Sequence, residues 1–81
     1  HMDTVFPADH PFQAQHWLDQ DTLNGPGVAD MKGGIAVMLA ALGAAEAAGT
    51  IGSLGYDVMI NSDEETGSLA SAALIAQLAQ G

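Results

Sequence analysis

Cysteine is absent from this 81-residue chain, and Lys32 is its only Lys or Arg. Without cysteine there is no disulfide framework, no thiolate metal ligand and no cysteine nucleophile. Against the lone lysine stand ten Asp and Glu, giving a formal net charge of −9 with the three histidines neutral. That balance lacks the basic footprint that nucleic acid or an anionic membrane surface requires, so neither is an expected partner. Charged residues make up only 14% and aromatics 5%, whereas hydrophobic residues reach 48%. Such an apolar share is too large for a disordered acidic tail. No run reaches the roughly 20 consecutive apolar residues of a membrane span, so the expectation is one globular domain at most. A chain this short buries only about 60% of its unfolded surface and is marginal without a staple. A metal, a partner or further sequence is expected to complete it, and the chain reads as part of a longer one.

The pattern of apolar residues predicts a short strand over 1–6, ended by Pro7. Residues 8–27 read as a loop punctuated by Pro11, Asn24-Gly25 and Pro26-Gly27, with His16-Trp17-Leu18 as a brief edge strand before a turn at 19–25. A helix is expected over 31–48. Ile35, Met38, Leu39 and Leu42 fall on one face, and Gly49 is a natural stop. The pair Gly33-Gly34 weakens its first turn, which suggests close approach of the backbone to something else. A strand is expected over 54–61, where Tyr56, Val58 and Ile60 alternate with Asp57 and Met59. A second helix follows over 68–80. Strand, long connection, helix, strand, helix is an α/β order.

Chemistry-bearing residues gather at the ends of these elements, where α/β sheets place their functional groups. His1 and Asp3 sit at i and i+2, on the same side of a strand. There a carboxylate can take one imidazole N–H and leave the other nitrogen free for a metal. Asp30 and Lys32 lie among glycines in Gly25-Pro26-Gly27-Val28-Ala29-Asp30-Met31-Lys32-Gly33-Gly34. Read alone, Asp30 is equally a helix cap. The run lacks the Gly-Lys-Ser/Thr order of a phosphate loop. Asp63-Glu64-Glu65-Thr66-Gly67-Ser68 follows the second strand directly. Its three adjacent carboxylates repel one another, and either a nearby cation or a solvated turn would relieve them. Asp19-Gln20-Asp21-Thr22-Leu23-Asn24-Gly25 resembles the start of a calcium loop, but Leu23 falls on a ligand position and no Glu closes the loop. It reads as a turn. His10 and His16 read as bystanders.

Together, His1-Met2-Asp3-Thr4-Val5, the Gly25-to-Gly34 run and Asp63-Glu64-Glu65-Thr66-Gly67-Ser68 resemble the three ordered signatures of the co-catalytic zinc peptidases and deacylases. That family includes glutamate carboxypeptidase, acetylornithine deacetylase and succinyl-diaminopimelate desuccinylase types. The resemblance covers nearly the whole chain and lies nearest the glutamate carboxypeptidase branch. It implies an α/β fold with a mixed, mainly parallel sheet and flanking helices, of which 1–81 is a partial catalytic domain. The rest of that domain and the dimerisation domain lie outside it. It implies that His1 ligates one zinc, that Asp30 bridges two zincs before a cis peptide bond, and that Glu65 ligates the second. Co2+ or Mn2+ could stand in for zinc. Asp3 would orient His1. Glu64 would be the general base that moves a proton from water to the leaving amine of a cleaved amide. Substrates would be small peptides or N-acyl amino acids, and the full-length protein a homodimer in the cytoplasm or periplasm. The chain departs from the family where Ala72 replaces an arginine that often follows the serine here at Ser71. The family's remaining acidic ligand and its late histidine also fall outside these residues.

Two weaker alternatives stand beside this reading: a non-catalytic acidic α/β interaction module, and a calcium-binding loop at 19–25. The enzyme reading requires the side chains of His1, Asp30 and Glu65 to converge within a few ångströms, with Asp30 in the middle. It also predicts that the isolated 81 residues bind zinc weakly and hydrolyse nothing, since each metal would lack a protein ligand. Calorimetric titration showing sub-micromolar binding of two zinc ions would contradict this.

Overall fold

A computed structural model describes residues 1–49 and 52–80. Strands β1 (His16–Asp19) and β2 (Thr22–Asn24) form an antiparallel hairpin, with His16 opposite Asn24, Trp17 opposite Leu23 and Asp19 opposite Thr22. The register shifts between Trp17 and Asp19. The Asp19 carboxylate accepts the Asp21 N–H at 2.8 Å and closes the turn. The expected edge strand at His16 therefore exists, and part of the expected turn is its partner strand. Before the hairpin, Phe6 packs on His10 and Phe12, with ring centroids 5.1 and 4.9 Å apart. The Phe12 N–H also donates to His10 Nδ1, so His10 is engaged locally.

After the hairpin comes a kinked turn, Val28–Lys32, in which Asp30 and Met31 leave helical geometry. The Asp30–Met31 peptide bond is cis. Helix α1 then runs Gly33–Ala47 and ends before Gly49, which has φ +70°. A 3₁₀ turn, Glu64–Thr66, precedes helix α2, Ala72–Ala79. The second helix begins later than its periodicity suggests. Residues 67–71 are occupied by a turn in which Gly67 and Ser68 both have positive φ.

Segments 1–6 and 54–61 are not laddered strands among the described residues. They are joined by a bond from the Met2 N–H to the Asn61 carbonyl at 2.9 Å. Alternation alone does not make a strand, because the ladder needs a neighbour along its length. The only sheet among the described residues is thus the antiparallel hairpin. The chain is an α/β piece, but its described pairing is not parallel.

The molecule measures 45 × 35 × 11 Å, and the shortest extent is about one helix diameter. A single layer has no second face to pack against, and no apolar side chain is buried among the described residues. On α1, Ile35, Met38 and Leu42 are half-covered as the periodicity predicts, whereas Leu39 and Val37 face outward at 59% and 70% exposure. The 20-residue stretch Val28–Ala47 is long and apolar enough by composition to cross a membrane, with mean hydropathy 1.5 over an 18-residue window. Asp30, Lys32 and the glycines interrupt it, so no unbroken apolar run of that length is visible in the sequence. Its regular helix is only 15 residues. That spans about 22 Å against the roughly 30 Å of a bilayer core.

The N-terminal segment and the kinked turn meet at Gly27, which is buried. Gly27 has φ +72°, and a Cβ there would lie 2.7 Å from Thr4 Cγ2 and 3.0 Å from Lys32 Nζ. The glycine lets the kinked turn close against the N-terminal segment, where the Lys32 ammonium donates to the Met2 carbonyl at 3.2 Å. Gly27→Ala should destabilise the protein by about 1–3 kcal/mol through the left-handed backbone and the contact. Denaturant unfolding of the full-length protein measures this, and an unchanged midpoint would contradict it.

Candidate metal centre

Three segments far apart in sequence meet at His1. Its Nδ1 faces Asp3, lying 3.0 Å from the Asp3 carbonyl and 3.2 Å from Oδ1. Its Nε2 faces three carboxylates: Asp30 Oδ1 at 3.1 Å, Glu64 Oε2 at 3.4 Å and Glu65 Oε1 at 3.6 Å. Ligand atoms of His1, Asp30 and Glu65 all lie within 4.8 Å of one another. Convergence of these side chains is what the enzyme reading requires.

Each arm has a local cause. Asp3 reaches His1 across the i, i+2 spacing and also accepts the backbone N–H groups of Glu64, at 3.3 Å, and Glu65, at 2.9 Å. It therefore holds both the imidazole and the start of the 3₁₀ turn. Asp30 is carried in by the kinked turn, which the Lys32 N–H closes on the Gly27 carbonyl at 2.8 Å. His1 and Glu65 side chains are 10% and 19% exposed, while those of Asp30 and Glu64 are 70% and 50% exposed. The cluster thus opens to solvent on the Asp30 and Glu64 side.

The residues fit a divalent cation. One imidazole nitrogen and two carboxylate oxygens are the donor set of zinc or a similar ion. Metal–ligand bonds of about 2.1 Å in a tetrahedron place neighbouring donors roughly 3.4 Å apart. The His1–Asp30 separation of 3.1 Å is close to that value, as two donors to one ion require. Among the described residues, this is the group of three acidic or histidine side chains that can hold a metal.

The electrostatics carry the mark of crowded negative charge. Desolvation and the charge and hydrogen bond of Asp30 push the Glu65 carboxyl up, Glu64 adds to the rise, and His1 opposes it. Desolvation works against a charged His1, but the Asp3 carbonyl and the carboxylates of Glu64, Asp30 and Asp3 outweigh it and raise the imidazole above 6.5. For Asp3, desolvation is outweighed by backbone N–H donors, chiefly that of Glu65, and by His1, so its carboxyl lies below 3.8.

Asp63 is not part of this cluster. Its carboxylate accepts the Ser71 N–H at 2.9 Å, the Ser71 hydroxyl at 2.6 Å and the Asn61 amide at 3.2 Å. The Ser71 hydroxyl, against desolvation, holds its carboxyl below the usual range, with the Ser71 and Ala70 N–H groups and Asn61 adding to the effect. The sequence presents Asp63, Glu64 and Glu65 as equivalent neighbours. The turn sends Asp63 toward α2, and the other two toward His1. Asn61 and the Lys32–Met2 bond are not distinguished by any sequence pattern. The signal available for Ser71 is its place ahead of α2, where free N–H groups attract a carboxylate. His16 pairs within the hairpin, and the Asp19 carboxylate is engaged by its own turn, so 19–25 is a hairpin rather than an ion loop.

Comparison with known proteins places the chain in a family. Peptidase family M20/M25/M40 matches residues 1–81, and the chain belongs to that family. It is similar to carboxypeptidase G2 from Pseudomonas sp. (strain RS-16), with 39% identity over 80 residues. The match covers 99% of this chain and 19% of the relative's length. No solved structure matches the chain.

The shifts of His1 and its neighbours set a pH dependence. His1 is raised, so its contribution to metal-free stability is fully present below pH 6.5 and is lost as pH rises through its folded value. A metal held at Nε2 would compete with that proton, so metal affinity would run the other way. Affinity is expected to climb by up to about tenfold per pH unit from pH 6 until His1 is deprotonated, and then to level off. Zinc titrations at several pH values, with His1 followed by NMR, measure both. A His1 midpoint below 6.5, or an affinity flat across that range, would contradict the assignment.

Proposed function

We propose that these residues form part of the active site of a metal-dependent hydrolase that cleaves an amide bond in a small peptide or N-acyl amino acid. The observation that carries this reading is the meeting of His1, Asp30 and Glu65 around one point, with the Glu64 carboxylate 3.4 Å from His1 Nε2. Membership of Peptidase family M20/M25/M40 and likeness to carboxypeptidase G2 support it. The full-length protein would remove a C-terminal amino acid in the manner of a carboxypeptidase, or an acyl group as a deacetylase does.

In this proposal His1, Asp30 and Glu65 would hold the metal, with zinc, as a pair of ions, the expected cation. Further ligands come from the protein outside these 81 residues. A divalent cation bound there supplies positive charge that polarises a carbonyl and makes water more acidic. The chain's own groups do the rest. Asp3 holds the His1 ring through Nδ1, leaving Nε2 as the ligand. Glu64 stands on the solvent-open side, where it takes the proton of the attacking water and delivers it to the departing amine. In the whole protein, segments 1–6 and 54–61 would join a mainly parallel sheet whose other strands complete their ladders. The exposed faces of α1 and α2 would be covered in the same catalytic domain. The complete enzyme would act as a homodimer through a separate dimerisation domain.

The test is Glu64→Ala in the full-length protein, assayed on a panel of N-acyl amino acids and dipeptides. Loss of general-base catalysis should lower kcat by about 10²- to 10⁴-fold while zinc stays bound. Hydrolysis at the wild-type rate would remove Glu64 from this role.

A further inference from the structure

We propose that Asp63 is a positioning residue that fixes the backbone carrying Glu64 and Glu65, acting through α2 and not through the metal cluster. The inference rests on the hydrolase reading and assigns a role to a side chain that reading does not use.

The observations are its contacts. The Asp63 carbonyl accepts the Thr66 N–H at 3.2 Å, the Thr66 hydroxyl at 3.0 Å and the Ser68 N–H at 2.8 Å, which closes the turn that follows the two glutamates. Its carboxylate takes the Ser71 N–H and hydroxyl at the start of α2, and the Asn61 amide at the end of segment 54–61. The Ser71 bond, at 2.6 Å, is in the range of an ionised acceptor. Asn61 in turn reaches Ser71 at 3.2 Å, and its own carbonyl accepts the Met2 N–H. Asp63 thus links three pieces: the turn, the helix and the segment paired with the His1 end of the chain.

On its far side the same turn is held by Asp3, whose carboxylate accepts the Glu64 and Glu65 N–H groups. The Glu64–Glu65 backbone is therefore clamped between two aspartates. Asp3 gives it the position of His1, and Asp63 gives it the position of α2. Without the second clamp the turn is held on one side only, and a displacement of about 1 Å is enough to spoil a catalytic constellation. Groups that orient ligands in this way commonly change metal affinity or activity by about 10- to 100-fold.

The experiment uses the full-length protein with Zn2+ alone as the binding probe. Asp63→Asn keeps the side chain's size but turns one acceptor oxygen into a donor, facing the donors of Ser71 and Asn61. Zn2+ affinity, read by competition with a chromophoric chelator, should fall about 10- to 100-fold, and kcat by a similar factor with KM little changed. Ser71→Ala should move both in the same direction. Ser71→Thr retains the hydroxyl and should preserve wild-type values. Asp63→Asn and Ser71→Ala proteins that lose thermal stability alone, with wild-type zinc affinity and kcat, would overturn the proposal. The wild type separates this failure from that of the hydrolase reading. If it binds Zn2+ but cleaves no amide, the hydrolase reading fails and Asp63 is still judged on zinc affinity. If it binds no Zn2+, both fall.

Discussion

Everything at this site depends on the Asp3 carboxylate, which faces His1 on one side and receives the Glu64 and Glu65 N–H groups on the other. A carboxylate with several acceptor positions is one of the few side chains that can do both at once. The link spans 61 and 62 residues of sequence and brings the beginning of the chain to the turn after segment 54–61. Asp3 also fixes which imidazole nitrogen is turned outward, because its backbone carbonyl and carboxylate both face Nδ1 and Nε2 is left to the other carboxylates. Without it, the 3₁₀ turn would have no anchor near the histidine.

The second constraint is charge. Asp30, Glu64 and Glu65 all approach one imidazole, in a chain with a formal net charge of −9. The raised Glu65 and His1 report the same fact from opposite sides: the carboxyl resists ionisation and the imidazole resists losing its proton. A divalent cation in that place would relieve the same crowding of negative charge. Metal binding and proton release are then two readings of one electrostatic strain. The glycines of the 25–34 run serve this arrangement at Gly27, where any side chain would press on Thr4 and Lys32 and separate Asp30's turn from the His1 segment.

The candidate site is far more legible in the sequence than the fold. His1 and Asp3 are neighbours because of a strand-like i, i+2 spacing, and the Glu64–Glu65 pair sits directly after an apolar run, so short-range pattern suffices for both. Asp30 can be attached to them only through resemblance to a family, because nothing local distinguishes a ligand from a helix cap. The helices are legible in outline, since α1 follows the Ile35, Met38, Leu42 periodicity and stops before Gly49. The extended segments are not. The alternation of Tyr56, Val58 and Ile60 describes a surface able to pair, and pairing is a property of the neighbour as well. Asp63 is hidden for a different reason. Adjacent acidic residues look alike in sequence, and only the turn geometry separates one bonded to α2 from two facing a histidine.

The exposed apolar faces and the polar centre have a common physical origin. A layer 11 Å thick cannot bury a core, so the described residues leave Val37, Leu39, Leu69 and Leu74 open to water. The cluster at His1 is nevertheless organised by hydrogen bonds that close within the layer, from Asp3, Asn61, Asp63 and Lys32. These bonds are directional and local, whereas apolar burial requires a second surface. Site geometry and core formation therefore have different requirements. The positions of His1, Asp30 and Glu65 are set by polar contacts within this stretch, while burial of its apolar faces requires a second surface.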